Sequence, residues 1–287
     1  MKNILLSILK DFGILFGYTL IYILILGIGS YAFELVTRFD GRRLGTFLLD
    51  DVFLKASETI ILLTFFFKRR TLRLNYSRIL RFKTNKLLFA NQGFGFAALL
   101  IFFITGLMMA FGAVHVYFNA AYSVAELGIY FILFILVGFN EEFLMRGIWV
   151  EYLRKRHSDF TAIVISSGVF AALHLFNPNV TALSFLNLLL AGVILAQLYL
   201  LTKNIWLATL FHLSWNFFQG PVLGFSVSGL SMHSIFIQPG KQADDIVNGG
   251  AFGLEGSVIT TMVLLLFSFA LYQKLKRRQV KPAIALQ

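Results

Sequence analysis

Residues 124–151 read V-A-E-L-G-I-Y-F-I-L-F-I-L-V-G-F-N-E-E-F-L-M-R-G-I-W-V-E. An apolar run of this length crosses a hydrocarbon core of about 30 Å as a helix, at 1.5 Å rise per residue. Yet it contains Asn140, Glu141, Glu142 and Arg146. A charge at the centre of a membrane helix costs about 2.5–3.5 kcal/mol on insertion scales, so the default reason for finding one there is function. The charges do not simply mark the end of the helix, because Ile148, Trp149 and Val150 carry the apolar run past them.

Seven further hydrophobic stretches flank this one, at about 12–36, 52–67, 88–112, 160–176, 181–202, 205–219 and 257–273. The whole chain of 287 residues is 58% hydrophobic and only 14% charged, where a soluble domain carries about 25% charged residues. Long unbroken apolar runs replace the 10-residue alternating segments of a membrane β-barrel. The fold class that follows is an all-α polytopic transmembrane bundle of about eight spans. The stretch at 52–67 is the weakest, since Lys55 and Glu58 sit near its start; three apart, they can pair on one helix face. The stretch at 205–219 is short. The first span resembles a signal peptide, but its apolar core is too long and no cleavage pattern follows, so it reads as a retained anchor. The domain organisation expected is one membrane domain over 1–287: N-terminal spans 1–112, catalytic helices 124–219, a Gly-rich outer loop 220–256, and a last span with a basic tail 257–287. That loop holds ten glycines and prolines together, a composition suited to backbone turns near the membrane surface.

The net charge is +11, from 25 Lys and Arg against 14 Asp and Glu. Nineteen of those basic residues fall in the N-terminus, the 68–87 and 152–159 loops, Lys203 and the tail; four, Arg38, Arg42, Arg43 and Lys241, fall on the other side. The positive-inside rule then expects both termini in the cytoplasm. The same excess is explained by anionic lipid at the bilayer surface, so nucleic acid is not an expected partner. The absence of cysteine excludes disulfides, thiol nucleophiles and thiolate metal sites.

Two more polar clusters lie inside spans. Phe170-Ala171-Ala172-Leu173-His174 is in the fifth, and His212-Leu213-Ser214-Trp215-Asn216 in the seventh. Four-residue spacing puts Glu142 with Arg146 on one helix face and His212 with Asn216 on another. Glu141 points about 100° away from Glu142 and lacks a cation on its own helix. Counted from the cytoplasmic helix ends, Glu141, His174 and His212 lie about 16, 21 and 10 Å deep, which lets three helices meet in one layer. A carboxylate and an imidazole can hold and deprotonate a water, while a second imidazole and an amide can donate to an oxyanion. That is a hydrolase for an acyl or peptide bond. One Glu with two His is equally a catalytic zinc set with water as fourth ligand. No H-E-x-x-H occurs, no Asp lies in the core of a span, and Ser226 lies in a loop away from the histidines.

With these residues the sequence resembles the CPBP family, which includes the CAAX prenyl endopeptidases and the bacterial Abi-type intramembrane proteases. The family's E-E-x-x-x-R, F-x-x-x-H and H-x-x-x-N/D motifs match Glu141-Glu142-…-Arg146, Phe170-…-His174 and His212-…-Asn216, in order and on successive spans. The likeness covers about 124–219 and does not reach the first three spans. It implies eight helices, a site open toward the cytoplasm, and integral residence in a bacterial plasma membrane. It implies Glu141 as base, His174 helping to activate water, His212 and Asn216 at the oxyanion, and Glu142, Arg146 and Phe170 in support. Metal-free catalysis is the favoured chemistry, because Asn216 is a natural oxyanion donor and a poor zinc ligand; Zn2+ on Glu141, His174 and His212 is the alternative. The implied activity is an intramembrane endopeptidase acting on a membrane protein or membrane-associated peptide. A non-proteolytic membrane-interaction or bacteriocin-immunity protein of the same fold is the alternative function.

Overall fold

The computed structural model describes residues 2–40, 47–81, 84–237 and 246–284. Arg42, Arg43, Lys83 and Lys241 of the basic count lie outside them. The described chain is an all-α bundle: α1 (Lys2–Asp40), α2 (Phe47–Phe67), α3 (Tyr76–Ile79), α4 (Thr84–Ala110), α5 (Val124–Glu142), α6 (Glu151–Leu153), α7 (Asp159–Leu173), α8 (Ala182–Thr202), α9 (Trp206–Phe217) and α10 (Val258–Ile284). A π-helical stretch, Phe143–Val150, joins α5 to α6, so that residues 124–153 form one continuous rod; a second, Phe218–Val222, extends α9. Helix starts follow local chemistry. Ser123, Ser158 and Thr181 accept hydrogen bonds from the amides of Glu126, Thr161 and Ser184 at 3.3, 3.0 and 3.1 Å, capping α5, α7 and α8.

Six helical stretches among the described residues are long and apolar enough to cross a membrane: Asn3–Tyr31, Asn91–Ala110, Val124–Leu153, Asp159–Phe176, Ala182–Thr202 and Val258–Arg278. Of the eight expected, α2 and α9 do not qualify. α2 carries Asp50, Asp51, Lys55 and Glu58 on its 21 residues, and α9 is a helix of 12 residues. The outer helices α1, α4 and α10 expose Leu24, Ile28, Phe103, Leu266 and Phe269, as lipid-facing surfaces do, since apolar exposure costs nothing in hydrocarbon. The 124–153 rod, α8 and α9 form the centre, where Phe143, Trp149, Tyr199 and Ala208 are fully buried.

Small residues set how closely these helices approach. A Cβ on Gly138 would sit 3.2 Å from the Thr209 carbonyl oxygen and 3.3 Å from the Leu213 nitrogen. The α5 and α9 backbones thus run in contact one turn from Glu142 and His212. A Cβ on Gly192 would meet Ser167 Cα at 2.9 Å, at the α7–α8 crossing.

The two ends of the bundle differ. At one end the basic segments gather: Lys155 Nζ donates to the Arg73 carbonyl at 2.8 Å, Arg278 to Leu201 O at 2.8 Å, and Arg78 and Arg154 both pair with the fully buried Glu151. At the other, a two-residue strand β1 (Tyr117–Phe118) pairs antiparallel with β2 (Phe236–Ile237). The Gly-rich loop is more than a connector there. It packs down on the segment after α7 and on the π-helical extension of α9, through Asn177 Nδ2 to Ser228 O at 3.1 Å and Gln219 Nε2 to Ser226 O at 2.6 Å.

Candidate active site

Each of the three motifs comes from a different element, and they converge. Glu141 and Glu142 end α5, His174 follows the last residue of α7, and His212 and Asn216 lie on α9. The Glu141 Oε2 atom stands 3.9 Å from His174 Nε2 and 4.0 Å from His212 Nε2. It is buried and has no hydrogen-bond partner among the described residues. Both gaps are too long for a direct hydrogen bond. Gaps of this length are ones that a bridging water, about 2.8 Å from each end, closes. The Glu141 side chain is 35% exposed, as a group facing a cavity is, whereas His212 is buried.

The neighbours fix the tautomers. His174 Nδ1 is 2.7 Å from the Phe170 carbonyl oxygen, one helical turn back. A carbonyl only accepts, so Nδ1 carries the hydrogen, and in the neutral ring Nε2 turns a lone pair toward Glu141. His212 Nδ1 is 3.0 Å from Glu142 Oε1, and the same oxygen receives Arg146 Nη1 at 3.0 Å. Beside that guanidinium Glu142 is a carboxylate that only accepts, so His212 Nδ1 is also protonated. His212 Nε2 is then a donor only when the ring is an imidazolium. Arg146 is fixed from two further directions: Nη2 donates to the Gly192 carbonyl at 3.0 Å, and its guanidinium lies 4.9 Å above the centre of the Phe170 ring. Phe170 also packs against both histidines, with ring centres 4.6 and 6.1 Å apart. It thus touches Arg146, His174 and His212 at once. Asn216, one turn beyond His212, is buried and lines the cavity.

The cavity has a volume of about 960 Å³. Glu141 lines it beside the buried Leu144, Met145 and Phe170, and Asp51, Glu126, Tyr130 and His233 line it as well. A second pocket of about 30 Å³, room for one water, lies behind His174, His212 and Asn216 and reaches Glu255. One wall of the main cavity was unreadable from the motifs. It is α2, through Asp51, Leu54, Lys55 and Glu58. The helix is tied to α5 immediately before Glu141: Thr59 Oγ1 donates to Asn140 Oδ1 at 2.7 Å, and Asn140 Nδ2 donates to Lys55 O at 3.2 Å. Lys55 and Glu58 do pair, at 2.8 Å. The charges that make 52–67 a weak span are the polar face it turns to the cavity. Asn140, adjoining the Glu pair in the same apolar run, is the signal that pointed here.

The lining reaches Glu126 and His233, beside the strand-bearing end, and includes no residue of α3 or of the basic 68–87 and 152–159 loops. Among the described residues α3 packs across the basic end. Ile79 of α3 is fully buried and its Cγ2 would touch a Cβ on Gly147; Ile79 O and Leu80 O accept from Ile205 N at 3.2 Å and Trp206 Nε1 at 3.0 Å.

The donor set Glu141, His174 and His212 is one that zinc accepts by chemistry. Its geometry here does not fit. Ligand atoms on one tetrahedral zinc lie about 3.4 Å apart, given bonds of about 2.1 Å, against the 3.9 and 4.0 Å present. Among the described residues no group of three or more His, Asp or Glu side chains is arranged to hold a metal ion.

Residues 123–218, about a third of the chain, match the family model described as type II CAAX prenyl endopeptidase Rce1-like. This is the protease family that the three motifs resemble, and the match spans all of them. No curated protein and no solved structure matches the chain.

Proposed function

We propose that this chain, an integral membrane protein whose 123–218 segment is Rce1-like, is an intramembrane endopeptidase that hydrolyses a peptide bond with water activated by Glu141 and His174. The observation that carries this reading is the unpartnered Glu141 oxygen, 3.9 and 4.0 Å from two imidazole nitrogens. A water in that gap donates one hydrogen to Glu141 Oε2 and the other to the lone pair on His174 Nε2. Its own lone pair is then left to attack a carbonyl carbon. Glu141 takes the proton as the C–O bond forms, and returns it to the amine nitrogen as the C–N bond breaks. General acid–base transfer of this kind contributes about 10²–10⁴-fold.

The oxyanion falls to His212 and Asn216. The imidazolium form of His212 offers Nε2–H, and the Asn216 amide offers a second donor one helical turn away. Glu142 stabilises that imidazolium through Nδ1, and Arg146 holds Glu142. Such preorganised donors act strongly in a site sheltered from water.

The test is comparative proteomics of new N-termini in membranes carrying wild type or Glu141→Gln. Cleavage products present with wild type and absent with the isosteric variant, at equal amounts of folded protein, are expected. Equal products from both would overturn the reading.

A further inference from the structure

One buried carboxylate takes no part in the chemistry described so far. Glu255 lies in a short 3-10 turn, Leu254–Gly256, just before α10, and is 4% exposed. No cation among the described residues pairs with it. Its oxygens are met by N–H groups instead. Gln219 Nε2 donates to Oε2, and the Trp215 indole and the Ser228 backbone amide reach the same carboxylate. Its carbonyl oxygen accepts from the fully buried Asn187 Nδ2 at 2.8 Å. A carboxylate taken out of water without a cation is expensive, so packing alone does not call for one here.

Its donors belong to two different parts of the fold. Trp215 and Gln219 stand on α9 and its π-helical extension, while Ser228 stands in the Gly-rich loop. Gln219 Nε2 also donates to Ser226 O at 2.6 Å, and Phe252 O, three residues before Glu255, accepts from Gly229 N at 2.9 Å. The two halves of the loop pass in backbone contact: a Cβ on Gly253, at φ +100°, would lie 1.9 Å from Ser226 O. Ser228 sits at φ +47°, in the left-handed region that serine seldom enters. It is held there from both sides, its N–H by Glu255 and its carbonyl by Asn177 Nδ2 at 3.1 Å. Backbone in such a region persists only where its surroundings over-determine it, and it clusters at ligand-contacting sites. Ser228 borders both the main cavity and the small pocket behind His174, His212 and Asn216; Val227, Leu230 and Ser231 line the main cavity.

We propose that Glu255 is a positioning residue: its carboxylate clamps residues 226–231 in the shape that walls the cavity, and that wall is a surface on which the substrate chain rests. Contact with substrate rests on the proteolytic reading; the hold on the loop does not. The imidazoles are oriented from elsewhere, His174 by Phe170 O and His212 by Glu142. Losing the clamp therefore weakens binding more than it slows the chemical step.

Two measurements on the full chain in nanodiscs test the proposal. The chain has no cysteine, so a nitroxide can be placed on Ser231→Cys alone, to report on the loop, or on Lys155→Cys alone, to report on the basic end of the bundle. Glu255→Gln keeps the size of the side chain but sets an amide among the converging N–H groups. It is expected to sharpen the spectrum at Ser231→Cys and to leave that at Lys155→Cys unchanged. An unchanged spectrum at Ser231→Cys overturns the clamp. The second measurement is steady-state cleavage of a substrate found by the comparison of new N-termini. In Glu255→Gln, KM is expected to rise about tenfold, the scale of a hydrogen bond to a charged group, while kcat changes by less than about threefold. Glu255→Asp keeps the charge on a shorter arm and is expected to fall between the two; it is read in the same way if the Gln variant does not fold. A lowered melting temperature with the spectra and KM unchanged marks a purely structural staple and overturns the proposal, as does a loosened loop with unchanged KM. A loosened loop in a protein whose wild type cleaves nothing rejects proteolysis and keeps Glu255 as the clamp.

Discussion

His212 Nδ1 lies 3.0 Å from Glu142 Oε1, so the second glutamate of the pair acts on a side chain from another helix. Arg146 Nη1 reaches the same oxygen, also at 3.0 Å. The two adjacent carboxylates therefore have divided roles. Glu141 faces the cavity and is partnerless at Oε2; Glu142 is wholly buried and binds the cation and the imidazole that set the far side of the site. Glu142 Oε2 and Arg146 Nε are themselves buried without partners, so the cluster is not arranged for stability alone.

Arg146→Ala leaves Glu142 buried with His212 as its one remaining partner here. Removing one member of a buried pair costs about 3–5 kcal/mol. The variant is expected to unfold at a clearly lower temperature in detergent, as well as to lose activity. An unchanged melting temperature would contradict the pairing.

On the proposed mechanism, His174→Ala and Asn216→Ala separate water activation from oxyanion binding. The first removes the Nε2 acceptor and is expected to abolish turnover. The second removes one oxyanion donor and is expected to lower kcat about 10²–10³-fold. Both should stay folded by circular dichroism. Wild-type kcat in Asn216→Ala would take that residue out of the site.

Thr59→Val keeps the shape of the side chain and removes the hydrogen bond to Asn140. A bond of this kind contributes about 0.5–1.5 kcal/mol. Because α2 walls the cavity without carrying the reacting groups, KM should rise while kcat is largely kept. A collapse of kcat alone would mean that Asn140 acts on Glu141 directly.

Metal removal addresses the alternative chemistry. With the Glu141 oxygen 3.9 and 4.0 Å from the histidine nitrogens, prolonged chelation is expected to leave turnover unchanged. Elemental analysis of the active protein should find less than one metal per chain. A stoichiometric zinc whose loss stops turnover, and whose return restores it, would move water activation onto the metal.

The sequence by itself determined the helical membrane fold and singled out the polar residues of the candidate site. Apolar run lengths are a property of the chain alone, because the bilayer requires about twenty residues per span whatever the neighbours. The motif residues were legible for the same reason: Glu141, Glu142, Arg146, His174, His212 and Asn216 stand out where lipid makes polarity costly. The four-residue Glu142–Arg146 spacing is local geometry. Only tertiary packing decided the rest. That Glu142 binds His212, seventy residues away, depends on the close α5–α9 approach at Gly138. That α2 walls the cavity depends on Thr59 meeting Asn140. That α3 packs across the basic end depends on Ile79 fitting beside Gly147. Contacts of this kind are set by shape and by pairing across long sequence separations, and no periodicity within one helix records them.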